Sequence, residues 1–217
     1  FVTVNTKTDK GCIGEILSGD SFDMLSLFFK NLNMPVRYFE TADIGMDMGP
    51  FLLMLKFIND NKIPCDYALK LHTKAEKKWR DAIVDPMVSE HPLTILKKLE
   101  NNKILGFKDT KYDHLNHAYT CFFLNKLGIK IFPEQEMIFT KSFYGDIRQN
   151  TFLTKTNKNK EKFTYIPGTC FWFDPNVLTK NKLWELYKYL PENDVNDSIY
   201  QQTPHALSRL ICILYQL

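Results

Sequence analysis

The sequence predicts an α/β domain with a mostly parallel sheet flanked by helices. Three observations predict it. Strand-like and helical patterns alternate through the first 71 residues in the order strand, helix, strand, helix, strand. The 217 residues are 44% hydrophobic and 24% charged, the balance of a globular chain rather than a disordered or fibrous one. No internal repeat or linker divides the chain, so residues 1–217 read as a single domain. Parallel neighbours need right-handed crossovers, which the intervening helices can supply. A chain of this length buries roughly 70% of its unfolded surface, enough for a core that needs no disulfide or metal to hold it.

Residues 1–4 (Phe-Val-Thr-Val) form a strand that empties into the polar Asn5-Thr6-Lys7. The spacing of Phe22, Leu25, Phe28, Phe29 and Leu32 predicts a helix over 21–32 with Ser21 as its cap. A strand at 36–39 follows, then a loop at 43–49. Pro50 suits the first turn of a helix running to about Asp60. Residues 67–71 are the third strand. Beyond Trp79 the chain is mostly helical, with 92–99 and 112–127 the clearest segments. Strand signals return at 130–132 and 170–173, and helices at 183–189 and 204–217 close the chain. The stretch 155–162 (Lys-Thr-Asn-Lys-Asn-Lys-Glu-Lys) is too hydrophilic to pack and reads as a mobile loop.

A net charge of +3 is too small to argue for a nucleic-acid partner, and no apolar run approaches the roughly 18 residues of a membrane span. Peripheral membrane contact remains open. Cys12, Cys65, Cys121, Cys170 and Cys212 are odd in number, scattered and free of any CxxC pair, so reduced thiols in the cytoplasm are expected. The chain starts at Phe1 with neither methionine nor signal peptide, so a piece of a longer protein is expected. There is no GxxxxGK[ST] loop, and no GxGxxG follows a predicted strand. Kinase-like, NAD-dependent and methyltransferase readings lose most of their support.

Ligands of open parallel sheets bind outside the carboxyl ends of the strands, which singles out the loops after residues 4, 39 and 71. In Asp43-Ile-Gly45-Met-Asp47-Met-Gly49-Pro50 two glycines and two carboxylates, each pair four apart, precede a helix. Glycine lets a ligand approach the backbone, and a carboxylate can hold ribose hydroxyls. The structural alternative is a tight turn with Asp47 capping the helix. Along the third strand, Lys70, His72 and Lys74 fall on one side and Tyr67, Leu69 and Leu71 on the other. That ladder of donors could cover a diphosphate; a solvated strand end explains it equally well.

His114, His117 and Cys121 share a helix face, but no fourth ligand is near, so an ordinary surface and no metal site are expected. Gly168-Thr169-Cys170-Phe171-Trp172 offers aromatic rings to a sugar face, or to the core. Glu192, Asp194 and Asp197 offer a general base or a solvated acidic turn. His205 and Arg209, four apart on a helix, can meet a phosphate or flank a packing surface.

The order Asp43-Ile-Gly45-Met-Asp47-Met-Gly49-Pro50-Phe51-Leu52, then Lys70-Leu-His72-Thr73-Lys74, then Trp79-Arg80, then Gly168-Thr169-Cys-Phe171-Trp172 resembles the rhamnan synthesis protein F family, over roughly residues 36–209. The family's first motif usually begins with Asn where this chain has Asp43. Its C-terminal helix usually carries His-x-x-Glu-Arg where this chain has Ser208 before Arg209.

The resemblance implies a Rossmann-type, GT-A-like sheet, here without its first strand, and a glycosyltransferase of polysaccharide assembly. The implied donor is a nucleoside diphosphate sugar, of rhamnose or another hexose, and the acceptor a glycan or glycolipid. Residues 1–80 would be the donor half and 81–217 the acceptor half. Asn5, Thr6, Asp43, Gly45, Asp47, Gly49, Lys70, His72, Thr73, Lys74 and Arg80 are the expected donor residues. Gly168, Thr169, Phe171, Trp172, His205 and Arg209 are the expected acceptor residues. The segment 72–74 takes the place of a metal-binding Asp-x-Asp, with lysines offering the positive charge that a cation would otherwise supply. Mn2+ or Mg2+ is therefore compatible but not required. Asp194, between Asn193 and Asn196, is the expected base, with Asp47 next. The alternative from another class is a non-catalytic sugar-nucleotide or glycan-binding domain.

Overall fold

The computed structural model describes residues 2–5, 31, 38–42, 44–72, 77–106, 114–129, 166, 169–192, 198–215 and 217. These form a mixed α/β structure that is mostly helical. Strand β1 (Val2–Asn5) pairs in parallel with β2 (Tyr38–Thr41), Val2 opposite Tyr38 and Asn5 opposite Thr41. The helix expected at 21–32 lies outside the described residues except for the helical Asn31, and the strand at 130–132 and the basic stretch 155–162 lie wholly outside them.

Helix α1 (Met48–Asp60) starts two residues before Pro50. Its buried Met48, Phe51, Leu52, Leu55 and Ile58 follow the three-four spacing of one helical face. The helix ends where the Asn61 side chain donates to the Phe57 carbonyl and Lys62 turns left-handed. Strand β3 (Ala68–Lys70) follows, then α2 (Lys77–Val88), α3 (Pro92–Asn102) and β4 (Ile104–Gly106). His91 caps α3, Nδ1 accepting from Leu93 N–H at 3.3 Å, with Pro92 in the first turn where its missing N–H loses nothing.

The third strand departs from expectation. Among the described residues β3 does not extend a parallel sheet. It pairs antiparallel with β5 (Phe171–Phe173), whose other edge pairs antiparallel with β4, in the order β3-β5-β4. The aromatic sequence of β5 explains its central place. Phe171 and Phe173 lie on one side and meet Phe51 of α1 edge-on, at 5.8 and 5.5 Å between ring centres. Trp172, on the opposite side, donates its indole N–H to the Met87 carbonyl of α2 at 2.8 Å. Both faces of β5 are thus covered by helices, and a short loop after α1 delivers β3 to its edge.

Helix α4 (His114–Lys126) packs against α6 (Ser198–Leu214), and Thr120 Oγ1 donates to the Ala206 carbonyl at 3.2 Å. Between β5 and α6 lie α5 (Pro175–Lys180), capped by Asp174, and a 3-10 helix (Leu183–Tyr189). Helix α6 begins six residues before Pro204, and Ser208 Oγ donates to the Pro204 carbonyl. Leu207, Leu210, Ile211, Leu214 and the face of α1 join one core with Phe123, Phe171, Leu183 and Leu186. Among the described residues no helix is long and apolar enough to cross a membrane.

Candidate functional site

The loop after β2 is tied down residue by residue. Ile44 N–H returns to the Ala42 carbonyl at 2.9 Å, and Ile44 bridges Glu192. Gly45, at φ +63°, donates to the Pro191 carbonyl at 2.9 Å. A Cβ on Gly45 would sit 2.5 Å from Leu190 Cδ1, and one on Gly49 would sit 1.8 Å from the Ile44 carbonyl oxygen. Both glycines are buried, and the close approach that they permit is made by the chain itself.

This geometry delivers Asp47 to the start of α1, where its side chain makes no capping bond. Its Oδ2 instead accepts from Lys70 Nζ at 2.5 Å and from Thr169 Oγ1 at 2.5 Å, with His72 Nε2 3.8 Å away. Lys70 Nζ also donates to the Thr169 carbonyl at 2.9 Å and lies 5.5 Å from the centre of the Phe51 ring. Thr169 holds these two contacts from a left-handed conformation, φ +53°, which a β-branched residue adopts only when its surroundings enforce it. Lys70 is 7% exposed and Asp47 17%. Burial alone would raise the Asp47 carboxyl. The charges of Lys70 and His72 and the hydrogen bonds from Lys70 and Thr169 together outweigh it and hold the carboxyl well below the usual carboxylate range.

Three segments far apart in sequence, the Asp43–Pro50 loop, the end of β3 and the start of the β5 segment, are therefore joined at one carboxylate. The alternation along β3 persists with an unexpected polarity at its end. Lys70 points inward to Asp47 while Leu71 is 44% exposed. The ammonium of Lys70 is consequently compensated by Asp47 within the protein.

The remaining expected site residues are spread more widely. Phe171 is buried in the core and presents no ring face to a ligand, and Trp172 is anchored through its N–H to Met87. His205 is exposed on α6; its carbonyl accepts from the buried Arg209, so these two lie on the helix that packs against α4 rather than in the Asp47 cluster. Asn5 ends β1, and Arg80 lies on α2. Thr6, Asp43, Thr73, Lys74, Gly168 and Asp194, with Asn193, Asn196 and Asp197, lie outside the described residues. His114, His117 and Cys121 belong to α4, with side chains outside the described set. Among the described residues no three His, Cys, Asp or Glu side chains gather as metal ligands.

Thr41, which ends β2, carries a buried hydroxyl without a hydrogen-bond partner among the described residues. The sequence ends this strand at residue 39, whereas the structure carries it to Thr41. No family model, curated protein or solved structure matches the chain.

Proposed function

We propose that the chain is a glycosyltransferase that moves a sugar, rhamnose or another hexose, from a nucleoside diphosphate sugar to a glycan or glycolipid acceptor. One observation supports the reading: three of the four motif segments that resemble the rhamnan synthesis F family meet at Asp47. A GT-A-like sheet, of which the parallel pair and the antiparallel triplet would be parts, belongs to the same proposal. So does a cytoplasmic location, which rests on the scattered cysteines.

In this reading Asp47, Lys70 and Thr169 are positioning residues. They fix the end of β3, the strand that leads to His72. Because Asp47 compensates Lys70, the positive charge facing the diphosphate is assigned to Lys74 and Arg80, with His72 and Thr73 as hydrogen-bond donors. A carboxylate held as strongly ionised as Asp47 is a weak base. The proton of the acceptor hydroxyl is therefore assigned to Asp194. Mn2+ or Mg2+ is compatible with the scheme without being required by it.

Incubation with UDP-, GDP- and dTDP-sugars, with and without divalent cation, tests the proposal through release of the nucleoside diphosphate. Lys74→Ala is expected to weaken diphosphate binding far more than nucleoside binding, and Asp194→Asn to keep donor binding while losing transfer. The internal pairing of Asp47 with Lys70 favours one other reading, a non-catalytic sugar-nucleotide or glycan-binding domain. Binding without turnover, even with acceptor present, would establish that alternative.

A further inference from the structure

The chain that leads from α5 to the residues holding Gly45 carries its charge on one side. In a 3-10 helix residues three apart stack on one face. Over Leu183–Tyr189 this sends Leu183 and Leu186 into the core, while Lys182 at the N-cap, Glu185 and Lys188 form an exposed stripe. Half-buried Trp184 and Tyr189 stand on either side of that stripe. Lys180, exposed at the end of α5, precedes it by two residues.

A fourth lysine arrives from α4. Lys126, in the last turn of that helix, holds its ammonium 5.0 Å from the centre of the Tyr189 ring and 5.1 Å from that of Phe122. Lys188 lies 5.0 Å from the same Tyr189 ring. The ring attracts each ammonium, yet the two like charges beside it repel. Lysines elsewhere on the surface are balanced: Lys56 pairs with Asp60, Lys77 with Asp81 and Lys98 with Glu90. Among the described residues no carboxylate pairs with Lys126, Lys180, Lys182 or Lys188. Four lysines against the one carboxylate Glu185 give this face a charge equal to the +3 of the whole chain.

These lysines stand along an exposed ridge, an arrangement that matches a plane of fixed negative charge better than a single ion. Lysine stems and half-buried aromatic rings, apolar in body and polar at the tip, are the chemistry of a membrane boundary. We propose that this face, with Lys126, Lys180, Lys182 and Lys188 around Tyr189, docks the protein on an anionic phospholipid surface. Leu190 and Pro191, directly after the stripe, are the residues that meet Gly45, so the docked face adjoins the Asp47 loop. The proposal goes beyond the transfer reading and does not depend on the donor.

Sedimentation with sucrose-loaded vesicles tests it, comparing phosphatidylcholine alone with equal parts of phosphatidylcholine and phosphatidylglycerol. The wild type is expected to sediment with the mixed vesicles and to stay in solution with the neutral ones. It is expected to be released by about 1 M salt, where the screening length falls to about 3 Å. Each lysine replaced by Gln should weaken binding about fivefold, so Lys126→Gln, Lys182→Gln and Lys188→Gln together weaken it about a hundredfold. Glu185→Gln, which removes the negative charge from the stripe, should tighten it. The control replaces Lys56, Lys77 and Lys98 by Gln, taking the same charge from outside the patch, and should bind within about threefold of wild type. Unchanged affinity in the patch variants, or equal losses in patch and control, overturns the proposal. So does a wild type that ignores the mixed vesicles, including one that binds an anionic polysaccharide such as alginate instead. A protein that releases nucleoside diphosphate from its sugar but stays off the vesicles loses this surface and keeps the donor reading.

Discussion

Replacing Asp47 by Asn removes the negative charge from the cluster while keeping the side chain's shape. Lys70 is 7% exposed, so its ammonium would be left buried with the Thr169 carbonyl as its remaining strong acceptor. Removing one partner of a buried ion pair costs about 3–5 kcal/mol. Two features lower that figure here: Asp47 is itself 17% exposed, and the Asn carbonyl can still accept from Thr169 or Lys70. A loss of about 2–3 kcal/mol is expected, which for a domain of this size is a fall in Tm of about 4–12 °C.

The comparison that isolates the pair is a cycle of Asp47→Asn, Lys70→Met and both together, followed by urea unfolding at pH 7. With both charges gone the site is close to an apolar replacement, so the double variant should lose clearly less than the two single losses added. Additivity within about 0.5 kcal/mol would refute the claim that Asp47 and Lys70 depend on each other.

The same pair sets a pH dependence. The folded-state pKa of Asp47 is depressed, so between the folded and unfolded values the unfolded chain binds more protons. The carboxylate's contribution is therefore fully present above the unfolded value of about 3.9 and is lost as pH falls below it toward the folded value. Asp47→Asn should flatten that part of the stability profile. An unchanged acid limb would refute the assignment.

The glycines of the Asp47 loop should separate by severity. Gly49→Ala drives a Cβ into the Ile44 carbonyl oxygen, a backbone atom, and should fold poorly or lose several kcal/mol in urea titration. Gly45→Ala meets the movable end of Leu190 but must also hold φ +63°, so a loss of about 1–3 kcal/mol is expected, with secondary structure retained by circular dichroism. Trp172→Phe keeps a ring on the side of β5 that faces α2 and removes the hydrogen bond to Met87, for an expected loss of about 1 kcal/mol in the same titration.

The elements that sequence made legible are those whose signals are local. Helix α1 shows its face in Phe51, Leu52, Leu55 and Ile58, and α3 announces its start through His91-Pro92. Strand β4 escaped because Ile-Leu-Gly is too short to show a period and ends in a residue that disfavours strands. The sequence pattern places the start of helix α6 at Pro204, whereas the structure starts it at Ser198. The structure carries the helix through Pro204, and the proline's missing N–H costs one hydrogen bond within a helix secured by its packing on α4. Sheet order was illegible for a different reason. The partner of β3 is about a hundred residues away, and which strand it joins depends on what Phe51, Phe171 and Phe173 bury together.

At the site, the sequence shows the charged residues but not which of them pair within the fold. Alternation correctly put Lys70 and His72 on one side of β3, yet it could not say that this side turns inward at Lys70 and leaves Leu71 in solvent. A lysine among Tyr67, Ala68, Leu69 and Leu71 does carry a readable demand: if such a strand is buried at all, its ammonium needs an anionic partner. Asp47 meets that demand because Gly45 and Gly49 let the loop fold tightly enough to carry the carboxylate to β3. The same carboxylate forgoes its helix cap and accepts a hydrogen bond from a strained Thr169. Local preferences are thus set aside at two adjoining residues in favour of one buried contact. A segment held that firmly at β3 keeps His72 beside the Asp47 carboxylate, 3.8 Å away.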